Sequence, residues 1–223
     1  MINKLAFGIA ILLSQIALAQ VSKDTGTFES VKVFDKINLQ LIPSSENKIE
    51  IAGYNANEVE VINKNGELKI RMPLSNAFAG DDIKAKLYFK NIQSIDATEG
   101  SFVSSNEVFE QVSLELTARE GAQIELKSDL KKAKIRVITG SRISISGKAL
   151  NQEASVGTGG ILEAKDLNTN QTSVSITTGG EADVYATEFV DAQVKMGGTI
   201  TIYGKPKQIN QKTMLGGSII QSN

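Results

Sequence analysis

The segment SVGTGGILEA at residues 155–164 is followed by SITTGGEADV at residues 175–184, and each carries a glycine pair between two alternating stretches. A glycine recurs through the second half of the chain at intervals of 21, 19, 19, 20, 18 and 19 residues. These marker glycines are Gly100, Gly121, Gly140, Gly159, Gly179, Gly197 and Gly216. A nearly fixed period of this kind is the signature of a repeat architecture.

The residues around each marker glycine keep one pattern in every repeat. Five and three residues before the glycine, six of seven side chains are apolar, whereas all seven at the position between them are polar. Three residues after the glycines the side chains are again apolar, namely Val103, Ile124, Ile143, Leu162, Ala182, Ile200 and Ile219. Period-two alternation is typical of strands that bury one face.

Each repeat therefore predicts a strand, a glycine corner, a second strand and a polar connection such as residues 166–171. One such unit cannot bury its apolar face alone, so we expect an all-β fold, a β-helix or solenoid of about seven coils. With coils about 4.8 Å apart, the rod would be about 34 Å long. The corner glycines are expected to adopt positive φ. A β-sandwich of antiparallel hairpins is the alternative, and it explains the alternation but not the constant spacing.

The chain before the repeats also alternates, and it predicts ordinary strands rather than helices. Asn65-Gly66 lies between two such stretches and predicts a β-hairpin turn. We expect residues 20–91 to form an N-terminal β-strand region that caps one end of the repeats, which occupy residues 92–223. The last coil has polar Gln211, Thr213 and Gln221 at interior positions and is predicted to cap the other end.

Residues 1–19 have the three parts of a cleaved secretory signal. Lys4 supplies a positive start, residues 5–13 are almost continuously apolar, and Ala17-Leu18-Ala19 forms a small-x-small site before Gln20. The apolar run is too short for a permanent membrane span. We therefore expect an exported protein of the periplasm, cell surface or extracellular space, without a transmembrane segment in its mature chain.

The composition excludes several classes of function. The chain has no cysteine and no histidine, which excludes disulfides, thiol nucleophiles, serine–histidine triads and HExxH zinc sites. Its 24 basic and 25 acidic residues give a net charge of −1, with no electrostatic signal for nucleic acid.

The glycine-rich segments at residues 155–160, 175–180 and 194–198, together with the Phe34-Asp35-Lys36-Ile37 opening, resemble the head GIN domain family. Members of that family are described as adhesin heads of the autotransporter type and are common in Bacteroidetes. The resemblance extends over about residues 33–217, and we expect residues 28–217 together to form the head GIN-like domain. It implies a β-helical fold and an extracytoplasmic location, and it transfers no catalytic residue to this chain.

Three sets of side chains are candidates for chemistry. Asp81-Asp82 is an adjacent acidic pair, which we expect in a solvated loop. Glu125, Glu163 and Asp183 share one repeat position and are expected to align on an outer face, where Ser144 and Thr201 interrupt the row. A solvated charged face is favoured over a glycosidase pair or a calcium ladder. Tyr185 and Tyr203 are candidates for a sugar-stacking surface on successive coils.

The sequence thus predicts an exported, non-catalytic β-solenoid with an adhesin-like or structural role at the cell envelope. The alternative is a β-helix protein that binds or cleaves polysaccharides, as a lyase or glycosidase would. No catalytic, cofactor or metal residue is assigned, and the marker glycines are assigned a structural role at the corners. The partner is unknown, with a surface glycan and another envelope protein as the candidates.

Overall fold

A computed structural model of the chain describes residues 21–222. The predicted signal segment, residues 1–19, lies outside the described residues. Two single-turn 3-10 helices cover Ala56–Glu58 and Leu74–Asn76. The strands are β1 (Val21–Asp24), β2 (Ser30–Val33), β3 (Asn38–Pro43), β4 (Lys48–Ala52), β5 (Glu60–Lys64), β6 (Glu67–Arg71), β7 (Lys84–Phe89), β8 (Ser94–Ala97), β9 (Phe102–Ala118), β10 (Gln123–Ile138), β11 (Arg142–Gly157), β12 (Gly160–Ala164), β13 (Leu167–Ile176), β14 (Gly180–Tyr185), β15 (Phe189–Met196), β16 (Thr199–Tyr203), β17 (Gln208–Leu215) and β18 (Ser218–Gln221).

The repeats stack on one another through parallel strand pairs. Ile143 of β11 pairs with Leu162 of β12, and Leu162 pairs with Ala182 of β14. The register advances by one repeat at each pair, so the glycine spacing is also the length of one coil. The chain is a β-solenoid of about seven turns, as predicted. The alternative of antiparallel hairpins turning at the glycines is wrong for these repeats.

Three sides enclose the interior of the solenoid. We name the side that follows each marker glycine the first sheet, and the side that precedes it the second sheet. The third side joins them and comprises the middle parts of β9, β10 and β11 with the start of β13. In β10, for example, residues 123–126 lie in the first sheet, 127–130 on the third side and 132–138 in the second sheet.

Aliphatic ladders fill the space between the sides. On the first sheet, residues of one repeat position lie directly above one another and are at most 1% exposed. They are Val103, Ile124, Ile143, Leu162, Ala182 and Ile200. A matching ladder on the second sheet contains Ala97, Ala118, Val137, Val156, Ile176 and Val194, each fully buried. Burial of these narrow side chains explains how the chain builds a core with only 5% aromatic residues.

The corners are made by residues in left-handed backbone conformations. Glu120, at φ 55°, precedes Gly121, at φ 75°, and Thr139, at φ 56°, precedes Gly140, at φ 68°. Two successive positive φ values characterise a type I′ turn, which changes the direction of the chain sharply within two residues. The N–H of Gly121 also donates to the carbonyl of Thr139 at 3.0 Å, so the corners are hydrogen-bonded from coil to coil.

The N-terminal coils are stacked out of sequence order. Strand β2 pairs in parallel with both β6 and β8, and β3 pairs in parallel with both β7 and β9. Residues 30–43 therefore form a coil that lies between residues 67–89 and residues 94–104. Its corner contains no glycine. Asp35 and Lys36 adopt the left-handed conformation there instead, with φ values of 60° and 62°.

The two ends of the rod differ. At the N-terminal end, β4 and β1 extend the first sheet in the antiparallel sense, and β5 covers β6 as an antiparallel hairpin. That hairpin turns at Asn65-Gly66, as predicted. At the other end, β17 pairs with β15 and β18 pairs with β16, and within residues 21–222 each has its second edge unpaired.

We predict that truncating the interior ladder destabilises the rod strongly. Ile143→Ala removes a fully buried side chain, and the loss of transfer free energy together with a cavity should lower the unfolding free energy by about 2–4 kcal/mol. Urea denaturation measures this change. Ser175→Ala, on the outer face of the second sheet, is the control and should change stability by less than about 0.5 kcal/mol. Equal effects of the two variants would contradict the ladder.

We predict that Gly147, which is not a marker glycine, tolerates alanine less well than the marker Gly140. Gly147 has φ +103°, and a Cβ atom there would lie 2.1 Å from the Ser128 carbonyl oxygen. At Gly140 no atom lies within 4 Å of that position, although φ is +68°. Gly140→Ala should lower the unfolding free energy by about 1 kcal/mol and Gly147→Ala by about 3 kcal/mol. The reverse order in thermal or urea unfolding would disprove the close approach at residue 147.

Candidate functional site

The carboxylates singled out by the sequence do align on the outer face of the first sheet. Glu125 pairs with Ser144, Ser144 with Glu163, and Glu163 with Asp183, all in register on neighbouring strands. The row continues in both directions over eleven strands, through Ser22, Glu50, Lys86, Gln40 and Ser104 on one side and Thr201 and Ile220 on the other. At about 4.8 Å per strand, its length is about 48 Å.

Glu163 is held by its neighbours rather than left free for chemistry. The Arg142 guanidinium forms an ion pair with one carboxylate oxygen, and the Ser144 hydroxyl donates to the other. Arg142 was not among the residues singled out from the sequence, and it lies on the adjacent outer row and one coil away. Its position two residues before Ser144 was the available signal.

A shallow groove of about 650 Å3 follows the carboxylate row, and its lining includes Lys127, Lys165 and Asp166. Four carboxylates and two lysines line it, so the groove carries both signs of charge with an acidic excess. Within residues 21–222, no three acidic side chains converge in a geometry that could hold a metal ion. Asp81 and Asp82 lie in an exposed turn before β7 and are not members of this row, although Lys86 of β7 is one.

A second acidic set lies at the corners near the N-terminal end. The carboxylate of Asp35 accepts from the backbone N–H groups of Met72 and Phe78, both at 2.9 Å, and so fixes the loop that crosses this corner. Glu99 occupies the equivalent corner position in the next coil, and Glu120 follows in the coil after that. Burial raises the pKa of the Glu99 carboxyl, and the charges of Asp35 and Glu120 raise it further.

The third side carries a groove of different character, with a volume of about 550 Å3. We name it the third-side groove and define it by Lys131, Lys148, Leu150, Asn168, Asn170 and Tyr185. Its floor is apolar, because Leu130 and Ala149 are almost fully buried below it. The repeat pattern predicted only polar connections in this part of each repeat, and it did not indicate the groove.

The two tyrosines proposed from the sequence lie side by side. Tyr185 of β14 pairs in register with Tyr203 of β16, and both are partly buried. A Cβ atom on Gly204 would lie 3.1 Å from the Cζ atom of Tyr185, so the missing side chain of Gly204 leaves space for this ring. The structure places Tyr185 in the wall of the third-side groove, at its C-terminal end.

Comparisons with known proteins agree with this architecture. The sequence model of the family described as "Putative auto-transporter adhesin, head GIN domain" matches residues 27–206. A comparison with curated proteins finds no match.

Several solved structures share the fold over most of their length. The structure titled as a putative adhesin from Bacteroides fragilis superposes with a TM-score of 0.84 at 18% identity, covering 93% of this chain and 98% of that one. A putative lipid binding protein from Parabacteroides distasonis gives 0.70 at 15% identity, covering 92% and 96%. A putative adhesin from Parabacteroides merdae gives 0.66 at 16% identity, with the same coverage. At these identities the likeness establishes the fold.

We predict that Glu99→Gln stabilises the protein at neutral pH. A carboxyl whose pKa is raised on folding contributes full stability below its unfolded pKa and loses that contribution as the pH rises through its folded pKa. The variant should therefore unfold at a higher temperature than the parent chain at about pH 7, with the difference vanishing below about pH 4.

Thermal unfolding followed by circular dichroism at both pH values tests this expectation. Glu110→Gln, on an exposed part of the third side, is the control and should show no comparable gain. A Glu99→Gln variant that is less stable at neutral pH would show that the carboxylate is favourable in the folded state.

Proposed function

Because this chain belongs to the head GIN domain family, we propose that it is an exported, non-catalytic module of the cell envelope that attaches to its partner through the outer surface of the rod. The observation that carries the proposal is the regular arrangement of outer side chains, which continue in register over eleven strands of the first sheet. Many weak contacts along one repeating ligand would add up on such a surface.

The side chains of the carboxylate row support attachment more than catalysis. Glycoside cleavage requires one carboxyl to donate a proton and a second to act as base or nucleophile. Glu163, the central member of the row, is instead bound by Arg142 and Ser144. Similar solved structures are described as putative adhesins and as a putative lipid binding protein, which fits a binding role.

Export is the second part of the proposal and is supported by the composition of residues 1–19. Neither of the short helices in the described part of the chain has the length or apolar character needed to cross a membrane. We propose that a signal peptidase cleaves after Ala19 and releases a chain that begins at Gln20.

We predict that the protein isolated from its native cells begins at Gln20, and that Ala19→Arg leaves the precursor intact because the small-residue site is lost. Mass spectrometry of the N-terminal peptide and cell fractionation measure both outcomes. Ser14→Ala, outside the cleavage site, is the control and should be processed normally. An unprocessed parent chain that begins at Met1 and fractionates with the cytoplasm would contradict export.

We predict that beads coated with the folded mature chain adhere to glycan-bearing surfaces, and that beads coated with the heat-unfolded chain do not. The measurement is the number of beads retained under flow. In parallel, polysaccharides incubated with the protein should keep their length in size-exclusion chromatography. Shortened polysaccharides would establish a cleaving enzyme. Equal retention of both bead types would show that adhesion does not depend on the folded surface.

A further inference from the structure

We propose that the third-side groove binds an acidic saccharide, with Lys131 and Lys148 recognising its carboxylate. This inference rests on the proposed attachment function and adds to it the place of binding and the class of ligand. The groove spans successive coils, because Asp129 pairs in register with Lys148 and Lys148 pairs with Asn168. A linear ligand lying along the rod would therefore meet a new set of side chains about every 4.8 Å.

The charge of the groove selects an anion. Residues 127–136 carry five basic side chains, and two of them are neutralised by acidic neighbours on adjacent coils: Lys132 by Glu153 at 3.0 Å and Lys134 by Glu115 at 3.1 Å. Among the ion pairs formed within residues 21–222, neither Lys131 nor Lys148 takes part in one.

Asp129 is the acidic residue in the lining of the third-side groove, where it lies beside Lys148 in register. Two ammonium groups against one carboxylate leave the groove with a net positive charge. The first-sheet groove differs, because Glu125, Glu163, Asp166 and Asp183 outnumber Lys127 and Lys165 in its lining. An anionic ligand would therefore prefer the third side.

The apolar part of the groove favours a sugar over a bare anion. Leu150 is 48% exposed, and Val112 on the same side is 67% exposed, so the aliphatic surface is open to solvent. The Tyr185 ring adds an aromatic wall at one end. A pyranose ring has an apolar C–H face that packs on such surfaces, whereas phosphate and sulfate ions have none.

Amide groups supply the remaining recognition. The Asn168 side-chain nitrogen donates to the Gly147 carbonyl at 3.3 Å, which leaves its carbonyl oxygen to accept from a ligand hydroxyl. On the same lining, the Asn170 amide offers a donor and an acceptor, and the Thr187 hydroxyl, which donates to the Thr169 carbonyl at 3.3 Å, offers an acceptor. An acyl chain would use none of these polar groups, and the shallow, open shape would leave most of it in water.

Calorimetric titration of the mature chain with an oligogalacturonate, a uronic acid polymer, tests the inference. We expect binding that weakens with added salt, and at least a tenfold loss of affinity in the Lys131→Gln/Lys148→Gln double variant. Leu150→Asp should also weaken binding by placing a carboxylate in the groove.

The control is Lys64→Gln/Lys90→Gln, which removes the same charge at exposed positions outside the groove and should bind within twofold of the parent chain. Circular dichroism establishes that each variant is folded.

Other ligands distinguish an acidic-saccharide site from a neutral-sugar site and from a fatty-acid site. Neutral dextran fragments should bind at least tenfold more weakly than oligogalacturonate, and fatty-acid micelles should show no loss with the double variant. Equal affinity for the neutral sugar, preferential binding of the fatty acid, no binding of oligogalacturonate, or equal losses in the double variant and its control would each overturn it. If the coated beads still adhere in any of these cases, the proposed attachment function stands and only the proposed acidic-saccharide site is wrong. If the beads fail to adhere, the proposed function fails as well.

Discussion

Each coil is held on the next by a parallel backbone ladder, and that ladder stays in register because each glycine-marked coil turns through a left-handed corner. An L-residue in this conformation is strained by about 1–2 kcal/mol, and glycine is not. Four of the glycine-marked corners pair one strained residue, such as Thr139, with one glycine, such as Gly140, whereas those at Gly179, Gly197 and Gly216 use two successive glycines. Hydrogen bonds between successive corners then fix the start of each coil against the next.

Constant register converts a single repeat position into a continuous row of side chains. Inward rows become aliphatic ladders, and outward rows become surfaces whose chemistry differs from side to side. The first sheet pairs the Glu163 carboxylate with Arg142, and its groove carries more carboxylates than lysines. The third side places unpaired lysines beside exposed aliphatic and aromatic groups. One architecture thus offers an ionic face and an amphipathic face on the same rod.

The glycine period was sufficient to predict the coils, because the number of residues between two corners equals the number of residues between two strands that pair in the ladder. It could not reveal the coil at residues 30–43, because Asp35 and Lys36 form that corner without glycine and Asp35 is fixed by contacts to residues 72 and 78. Gly147 was not singled out because it lies outside the marker position of the repeat. Arg142 was not singled out although it lies two residues before Ser144. The third-side groove could not be predicted because it depends on which residues meet across coils, and local alternation carries no such information.

Because residues 30–43 lie between residues 67–89 and residues 94–104, the earliest coil to be synthesised ends up inside the stack rather than at its tip. Its two edges can be paired only by segments that follow it in the chain, so simple winding from the N-terminus cannot generate this end. Pairs such as Asn38 with Phe102 join residues distant in sequence, and contacts of this kind are slow to form. Each later coil pairs with the coil before it, so later coils can be added one after another toward the C-terminus.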